Sequence, residues 1–227
     1  MVHLRFIFVK FNGFFSRMTE ADKLFAPRFT AEDVEIVRKE RVFKQFFAID
    51  HYDVSYRKFD GGRTKVLARE VFDRDANAVV ILPYDPVRDE VLLIEQFRPG
   101  ALSDPVSPWL IEVIAGMIDE GETPVEAAIR EMNEEAHLKI SAHDLHHITS
   151  EYPSPGGTSE KVDVFIAKVD LGKIAEHGGL EEESEDLRVF KCPAKEAFRQ
   201  IETGRICNAA AIISLFYLQL HHQSFKA

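Results

Sequence analysis

Three glutamates in the middle of the chain have the spacing of a metal site. Glu131, Glu134 and Glu135 are three and four residues apart, so a helix would place all three carboxylates on one face. Like charges at this spacing destabilise a helix by about 0.2–0.5 kcal/mol per pair unless something neutralises them. Mg²⁺ would do so, because it is typically held by one or two carboxylates together with waters and substrate phosphates. The pattern indicates chemistry on a diphosphate, although an isolated acidic face balanced by Arg130 is more often a solvated surface.

The local sequence predicts a helix where these glutamates require one. Thr123 offers an N-cap hydroxyl, Pro124 suits the first helical position, and Glu126 can reach back to the cap. One apolar side follows, made of Ala127, Ala128, Ile129 and Met132. We therefore expect a helix from about Pro124 to His137.

The residues around this helix form a longer and more specific motif. Gly116 is followed by Glu122, then by Arg130-Glu131-Met132, Glu134-Glu135 and Leu138. This string resembles the Nudix box, G-x5-E-x7-R-E-U-x-E-E-x-G-U, in which U is aliphatic. The one departure is His137, where the family has glycine. Histidine tolerates the left-handed conformation that ends a helix better than most residues, so we expect a cost of about 1 kcal/mol in stability and no loss of a ligand.

The flanking sequence is similar to the bacterial ADP-ribose pyrophosphatases within this family, over roughly Val34 to the C-terminus. The similarity lies in Phe46-Phe47, Pro83 to Glu90, Glu95 to Arg98, Pro108 to Leu110, Ala115 to Ile118, Ser154 to Glu160 and Leu218 to His221. It implies hydrolysis of ADP-ribose to AMP and ribose 5-phosphate, with Mg²⁺ as the cofactor and Mn²⁺ as a substitute. It also implies a Nudix α/β/α sandwich with a mixed sheet, preceded by a β-rich dimerisation region.

The resemblance assigns a metal site. The carbonyl of Ala115 and the carboxylates of Glu131, Glu135 and Glu185 would bind metal, and Glu134 would be a ligand or lie just behind the ligands. Arg130 would orient the glutamates through charge-assisted hydrogen bonds, and Glu122 would pair with it.

The general base is assigned to an acidic segment, residues 181–186. The resemblance places the base at Glu183, with Glu182 as the alternative. Without the resemblance, a run of acidic residues is more often a solvated loop.

The same resemblance assigns the substrate contacts. Arg98 would bind the diphosphate, and Met117 would lie beside the substrate. Phe46 and Phe47 would stack near the adenine, with polar contacts from Arg69 and Glu70, all four supplied by the partner subunit of a domain-swapped dimer. A further loop would line the pocket across that dimer through Ser154, Pro155, Gly156 and Glu160. Taken alone, a Phe-Phe pair is more often strand core.

The remaining elements predict the scaffold for these residues. Val42 to Tyr56 and Lys65 to Phe72 indicate a hairpin around Asp60-Gly61-Gly62. Further strands are expected at Ala78 to Leu82, Val91 to Ile94, Leu145 to Glu151, Val162 to Val169 and Leu187 to Phe190. Two helices close the chain, Ala194 to Glu202 and Ala209 to His221. Strands around one capped helix, with more helices outside, indicate an α/β sandwich.

Composition limits the kind of partner. A formal net charge of −10 argues against binding of nucleic acid, which depends on Lys and Arg. No apolar run approaches the roughly 20 residues that span a bilayer. Cys192 and Cys207 have no metal-site spacing, and we interpret them as buried thiols of a cytoplasmic protein. The expected partners are a nucleotide sugar and a second copy of the chain.

The domain organisation follows from these assignments. We expect a flexible tail at residues 1–33, the dimerisation region at 34–75 and the Nudix domain at 76–227. The apolar, basic start of the chain fits neither a signal peptide nor a transit peptide, and Met18 is the expected functional start. Three alternatives to the ADP-ribose reading stay open: another nucleoside diphosphate sugar such as GDP-mannose or an ADP-sugar, a catalytically silent nucleotide sensor, and a structural dimer with an incidental acidic helix.

Overall fold

The computed structural model describes residues 19–180 and 186–226. The predictions for residues 1–18, including the start at Met18, and for Glu182, Glu183 and Glu185 lie outside this part of the chain. Two compact units are present. One contains residues up to 40 together with 51–69, and the other contains 41–50 together with the chain from residue 70 onward.

The N-terminal part of the described chain contains a small three-stranded sheet. A short helix, α1 (Glu20–Phe25), begins at the capping box of Thr19 and Asp22, inside the segment predicted to be a tail. The three strands pair in the order β1, β2, β3, with bounds Val34–Lys44, Ala48–Tyr56 and Leu67–Asp73. The predicted hairpin is confirmed, because β2 and β3 are neighbours and Gly61 and Gly62 in their connection have positive φ of 94° and 71°.

A mixed eight-stranded sheet forms the centre of the second unit. Its main path runs β10-β11-β5-β4-β9-β8; β6 pairs with β5, and β7 pairs with β4. The bounds are β4 Ala78–Asp85, β5 Glu90–Phe97, β6 Trp109–Glu112, β7 Ile114–Met117, β8 Leu145–Glu151, β9 Val162–Lys168, β10 His177–Gly178 and β11 Leu187–Pro193. The pair β4–β9 is parallel and the other pairs are antiparallel, so the predicted mixed sheet is confirmed.

Helices cover both faces of this sheet. One face packs against α2 (Pro124–Ala136), whose Met132 is fully buried with Val79 and Ile81 of β4. The other face packs against α3 (Ala194–Glu202) and α4 (Ala209–Leu220), and the short helix α5 (His222–Phe225) follows. The alternation of β4 side chains between these two cores explains why the whole strand is buried. The predicted α/β/α sandwich is confirmed.

Helix α2 has the ends that its sequence predicts. Thr123 caps the first turn, and the carboxylate of Glu126 accepts a hydrogen bond from the N–H of Thr123 at 2.8 Å. His137 ends the helix in the left-handed conformation with φ 53°, and its N–H bonds to the carbonyl of Asn133. The box therefore keeps its helix end without the glycine that the family pattern contains.

Three predictions about local structure were wrong. Val42 to Tyr56 is two strands, because the chain turns at residues 45–47 between β1 and β2. The short strands β6, β7 and β10 were missed, since four residues or fewer carry too little periodicity to be recognised. The thiol of Cys207 is exposed and that of Cys192 is half-buried, so neither is fully buried as predicted.

Among the described residues, no helix has the length and apolar character to cross a bilayer.

Candidate active site

Two carboxylates of the box helix are buried. Glu131 is 8% exposed and Glu135 is 2% exposed, whereas Glu134 is half-buried. Residues 131 and 135 lie one helical turn apart, so both face the sheet. A buried carboxylate is costly unless it is paired or hydrogen-bonded, so the groups that contact these two carboxylates determine whether they can stay buried.

Arg130 is the centre of the charge network on this helix. Its Nη1 donates to Glu131 Oε1 at 2.6 Å and to Glu134 Oε2 at 3.0 Å. Its Nε and Nη2 donate to both oxygens of Glu122, at 3.1 and 2.9 Å, and Nη2 also donates to the carbonyl of Met117 at 2.8 Å. The hydrogen bond from Arg130 lowers the pKa of Glu122 and, through the same contact, raises the pKa of Arg130. The predicted pairing of Arg130 with Glu122 is present.

Strand β7 approaches α2 closely at the start of the box. The N–H of Ala115 donates to Glu135 Oε2 at 3.1 Å. A Cβ on Gly116 would lie 1.7 Å from Glu131 Oε1, so only glycine leaves room for that carboxylate. The backbone of β7 and the carboxylates of α2 therefore share one small volume.

Of these groups, Ala115, Gly116 and Glu131 line a cavity of about 630 Å³ in the second unit, whereas Glu135 lies outside its lining. Predicted site residues in its lining are Phe46, Arg98, Ala115, Met117, Arg130, Glu131 and Glu134. The lining also contains Arg74, Ala78, Glu112, Gly116, Asp119, Leu180 and Asn208, which the sequence did not single out as pocket residues. The volume is in the range of small-molecule sites, about 300–1,000 Å³.

One missed residue is Glu112, which is 3% exposed at the end of β6. Its carboxylate binds the guanidinium of Arg98, with Oε2 at 2.7 Å from Nη2. A lone charged residue between the apolar pairs Leu110-Ile111 and Val113-Ile114 was the available signal. An isolated acid within an apolar run needs a buried partner, and here that partner is a cavity residue.

An aromatic group lies on another side of the cavity. Phe46 is 72% exposed in the turn after β1, and its ring contacts that of Phe47 edge-on with 4.8 Å between centroids. The Arg74 guanidinium lies 5.8 Å from the Phe47 ring and bonds to Glu160 at 2.5 Å. Phe46 thus lines the cavity of its own chain, whereas the resemblance implied that the partner subunit would supply it. No sequence pattern marks Arg74, because its partner is 86 residues away.

The other predicted substrate residues lie outside this lining. Glu70 is exposed on β3. Ser154, Pro155 and Gly156 are exposed, and the Ser154 carbonyl accepts the N–H groups of Gly157 and Thr158 in a tight turn.

Two more predicted residues have contacts of their own. Glu160 reaches the cavity only through Arg74. Arg69 belongs to the first unit, where its guanidinium donates to the neighbouring Ala68 carbonyl at 2.7 Å.

The donor set suits a hard divalent cation. Within residues 19–180 and 186–226, no three acidic, histidine or cysteine side chains converge as a complete metal cage. Mg²⁺ does not require one, because it keeps several waters and takes one or two carboxylates plus phosphate oxygens. The buried carboxylates of Glu131 and Glu135 could supply oxygen ligands. The backbone of Ala115 bonds to Glu135, and the absence of a side chain at Gly116 leaves room for Glu131.

Comparison with known proteins agrees with this arrangement. The NUDIX domain model matches residues 74–210, well over half of the chain. An ADP-ribose pyrophosphatase of Escherichia coli strain K12 is 43% identical over 198 residues, covering 87% of this chain and 93% of the relative. An ADP-ribose pyrophosphatase of Haemophilus influenzae is 37% identical over 201 residues, covering 87% and 91%.

More distant relatives carry other names. A GDP-mannose pyrophosphatase of Escherichia coli O1:K1 is 31% identical over 194 residues, covering 84% of this chain and 97% of the relative. A crystal structure described as an ADP compounds hydrolase superposes with a TM-score of 0.64 at 24% identity, over 86% of this chain and 97% of that one. At that identity the superposition establishes a shared fold.

Proposed function

The chain belongs to the Nudix family, and from this premise we propose that it hydrolyses ADP-ribose to AMP and ribose 5-phosphate. The observation that carries the proposal is one cavity lined by the acidic face of α2, the guanidinium of Arg98 and the ring of Phe46. These three features match the three parts of the substrate that must be held: a metal-bound diphosphate, its remaining negative charge and a nucleobase. The relatives with 43% and 37% identity, both ADP-ribose pyrophosphatases, support the choice of sugar nucleotide.

The cation in this proposal is Mg²⁺, with Mn²⁺ as a substitute. Glu131, Glu135 and the carbonyl of Ala115 would hold it, with Glu185 as a further ligand. When bound, it would neutralise the diphosphate and polarise a phosphorus toward attack. Burial of Glu131 and Glu135 supports this assignment, because coordination of a metal ion is one of the ways in which buried carboxylates are stabilised.

The chain's own groups then bind and orient the substrate. Arg98 would hold diphosphate oxygens, and Met117 would lie beside them. Phe46 and Phe47 would stack on the adenine, whose flat faces suit aromatic contacts. Arg130 would keep Glu131 and Glu134 in place, as its 2.6 and 3.0 Å contacts with them already do.

Proton transfer is assigned to the acidic segment after residue 180. Glu183, or Glu182 in its place, would take a proton from water as the water oxygen attacks one phosphorus. The bond from that phosphorus to the bridging oxygen breaks, and the electron pair leaves with the second phosphate. One product keeps the adenosine and the other keeps the ribose.

A homodimer is also part of the proposal, with the N-terminal region exchanged between two copies. Strand β1 supports it, because its whole length is exposed and its apolar side chains Val34, Ile36, Val37, Val42 and Phe43 are 42–58% exposed. In such a dimer Arg69, Glu70 and the loop Ser154 to Glu160 would complete the pocket of the second copy. A cytoplasmic location is proposed from the two unpaired cysteines.

The deciding experiment is hydrolysis of ADP-ribose with and without Mg²⁺ by wild type, Glu135→Gln and Glu183→Gln. We expect metal-dependent release of AMP and ribose 5-phosphate, nearly abolished in Glu135→Gln, and an equal loss in Glu183→Gln if that residue is the base. GDP-mannose assayed in parallel tests the second candidate, which the 31% identical relatives favour. Saturable nucleotide binding without turnover would contradict the proposal and indicate a sensor.

A further inference from the structure

A buried carboxylate connects Arg98 to the start of helix α4. Oε2 of Glu112 accepts two hydrogen bonds from one guanidinium, at 3.0 Å from Arg98 Nε and 2.7 Å from Nη2. Oε1 accepts from Asn208 Nδ2 at 2.9 Å. Since Nε and Nη2 are rigidly coplanar, two bonds to one carboxylate restrict the orientation of the guanidinium plane.

Asn208 is fixed at both ends of its side-chain amide. Its Oδ1 accepts the N–H of Ala211 at 3.0 Å, which caps α4, and its Nδ2 donates to Glu112. Gln96 donates to the same carboxylate at 3.2 Å. Glu112 is thus held from two different elements, a strand and a helix end, and cannot turn without breaking bonds to both.

Arg98 keeps donors for a ligand. A guanidinium has five N–H groups, and the bonds to Glu112 use two of them. The other three make no hydrogen bond within residues 19–180 and 186–226, and Arg98, Glu112 and Asn208 all line the cavity. We propose that Glu112 and Asn208 are positioning residues, which orient Arg98 so that its free N–H groups meet the diphosphate.

The charge of Glu112 supports orientation over attraction. A carboxylate beside Arg98 weakens the pull of the arginine on a diphosphate, so Glu112 would be harmful if the site needed only positive charge. It is useful if the site needs a guanidinium in one fixed orientation, because small displacements of a binding group are costly in the transition state. Removal of this charge should therefore lower kcat and leave KM for ADP-ribose unchanged or lower.

The test is a double-mutant cycle on the full-length chain, and it rests on the proposed function. We expect Glu112→Gln to lower kcat for ADP-ribose by about tenfold to a hundredfold. In an Arg98→Lys background, which lacks the guanidinium fork, the same change should have an effect of about twofold or less. Independent, multiplying losses would overturn the positioning role, because they would show that Glu112 acts without Arg98.

Two further variants control this cycle. Glu95→Gln removes a half-buried glutamate that also binds arginine, Arg188 at 2.7 Å, but lies outside the cavity lining, and it should keep wild-type kcat. Asn208→Ser keeps an acceptor for the cap of α4 and removes the amide Nδ2 that donates to Glu112, so kcat should fall about threefold to tenfold, again only when Arg98 is present. If Glu112→Gln fails to fold, Asn208→Ser measured with and without Arg98→Lys tests the positioning role in its place. Absence of ADP-ribose hydrolysis in wild type would overturn the proposed function. If wild type is active but the kcat losses of the single variants multiply in the double variant, only the positioning role is overturned.

Discussion

Glu131 occupies the space that a side chain on Gly116 would enter. The distance from a built Cβ to Glu131 Oε1 is 1.7 Å, far below any real contact, and the next atoms are the rest of the same carboxylate. The obstacle is the end of a flexible side chain, so the fold can adapt to a larger residue by moving that carboxylate. The carboxylate would then leave the position in which it is proposed to bind the metal.

Gly116→Ala should therefore separate activity from stability. We expect Mg²⁺-dependent hydrolysis to fall about a hundredfold, because a ligand is displaced, while the free energy of unfolding changes by about 1 kcal/mol or less. Activity assays and urea unfolding of the same preparation measure both. Gly100→Ala, where a Cβ would meet nothing within 4 Å and which lies outside the cavity lining, is the matched control and should behave as wild type. A fully active Gly116→Ala would remove Glu131 from the proposed metal site.

Gly178 offers the opposite case. A Cβ there would lie 1.7 Å from the backbone oxygen of Glu135, which cannot move without shifting α2. Gly178→Ala should thus lower the free energy of unfolding by about 1–3 kcal/mol through overpacking. Thermal unfolding that matches wild type would show that β10 can yield instead.

Arg130→Gln should destabilise the protein in a metal-sensitive way. The arginine side chain is 28% exposed and binds three glutamates, so its loss removes the ion pair that Arg130 makes with the buried Glu131. We expect the free energy of unfolding to fall by about 2–4 kcal/mol, with part of the loss recovered in millimolar Mg²⁺. Arg199→Gln, which removes an exposed partner of Glu196, should show neither effect. If Mg²⁺ does not reduce the loss, the metal ion and the guanidinium of Arg130 do not bind the same carboxylates.

His137→Gly should stabilise the chain and leave hydrolysis unchanged. His137 has φ 53°, a conformation that costs a side-chain-bearing residue energy and costs glycine nothing. The gain should reach about 1 kcal/mol at most, because glycine also gains entropy in the unfolded chain. His137→Val provides the comparison, since a β-branched residue should be less stable than either. Reduced activity in His137→Gly would assign the imidazole a role that its position at the helix end does not predict.

Asp85 should contribute to acid sensitivity. Burial alone would raise the pKa of its carboxyl, but hydrogen bonds from the N–H groups of Arg88 and Leu171, with the Arg88 guanidinium, hold it at about 2. This is below the value of about 3.9 for an unfolded aspartate, so the stabilisation is complete above about pH 4 and is lost as the pH falls toward 2.

Asp85→Asn should therefore lower the free energy of unfolding at pH 7 by about 2 kcal/mol, with a difference from wild type that shrinks as the pH falls from about 4 to about 2. Urea unfolding at several pH values measures it. A difference that stays constant with pH would show that the charge of Asp85 does not matter.

The sequence predicted best what local interactions decide. The helix α2 begins at Thr123 and ends at His137 because the capping hydroxyl and the left-handed residue act within a few positions of the chain. The central strands β4 and β5 were recognisable because a strand buried on both faces is apolar throughout.

Contacts between distant segments were not predictable in the same way. Arg74 bonds to Glu160 and Asn208 bonds to Glu112 across sequence separations of 86 and 96 residues. The residues next to them in the sequence do not indicate these partners. The predicted strand Val42 to Tyr56 ran through Phe46 and Phe47 because aromatic residues favour strands, whereas the chain turns there between β1 and β2 and exposes Phe46. Glu112 could have been noticed as an acid among apolar neighbours, but its partners Arg98 and Asn208 could be identified only from the structure.

The hydrogen bonds of Arg130 also bear on how the protein matures. The acidic face of α2 carries its own counter-ion, covalently part of the chain and one residue from the carboxylate it neutralises. A newly made chain could therefore close this part of its core before a metal binds, and supply of the proposed Mg²⁺ would then limit the onset of catalysis and not the yield of folded protein. An ion that departs with the products would likewise leave an intact scaffold, ready for the next one.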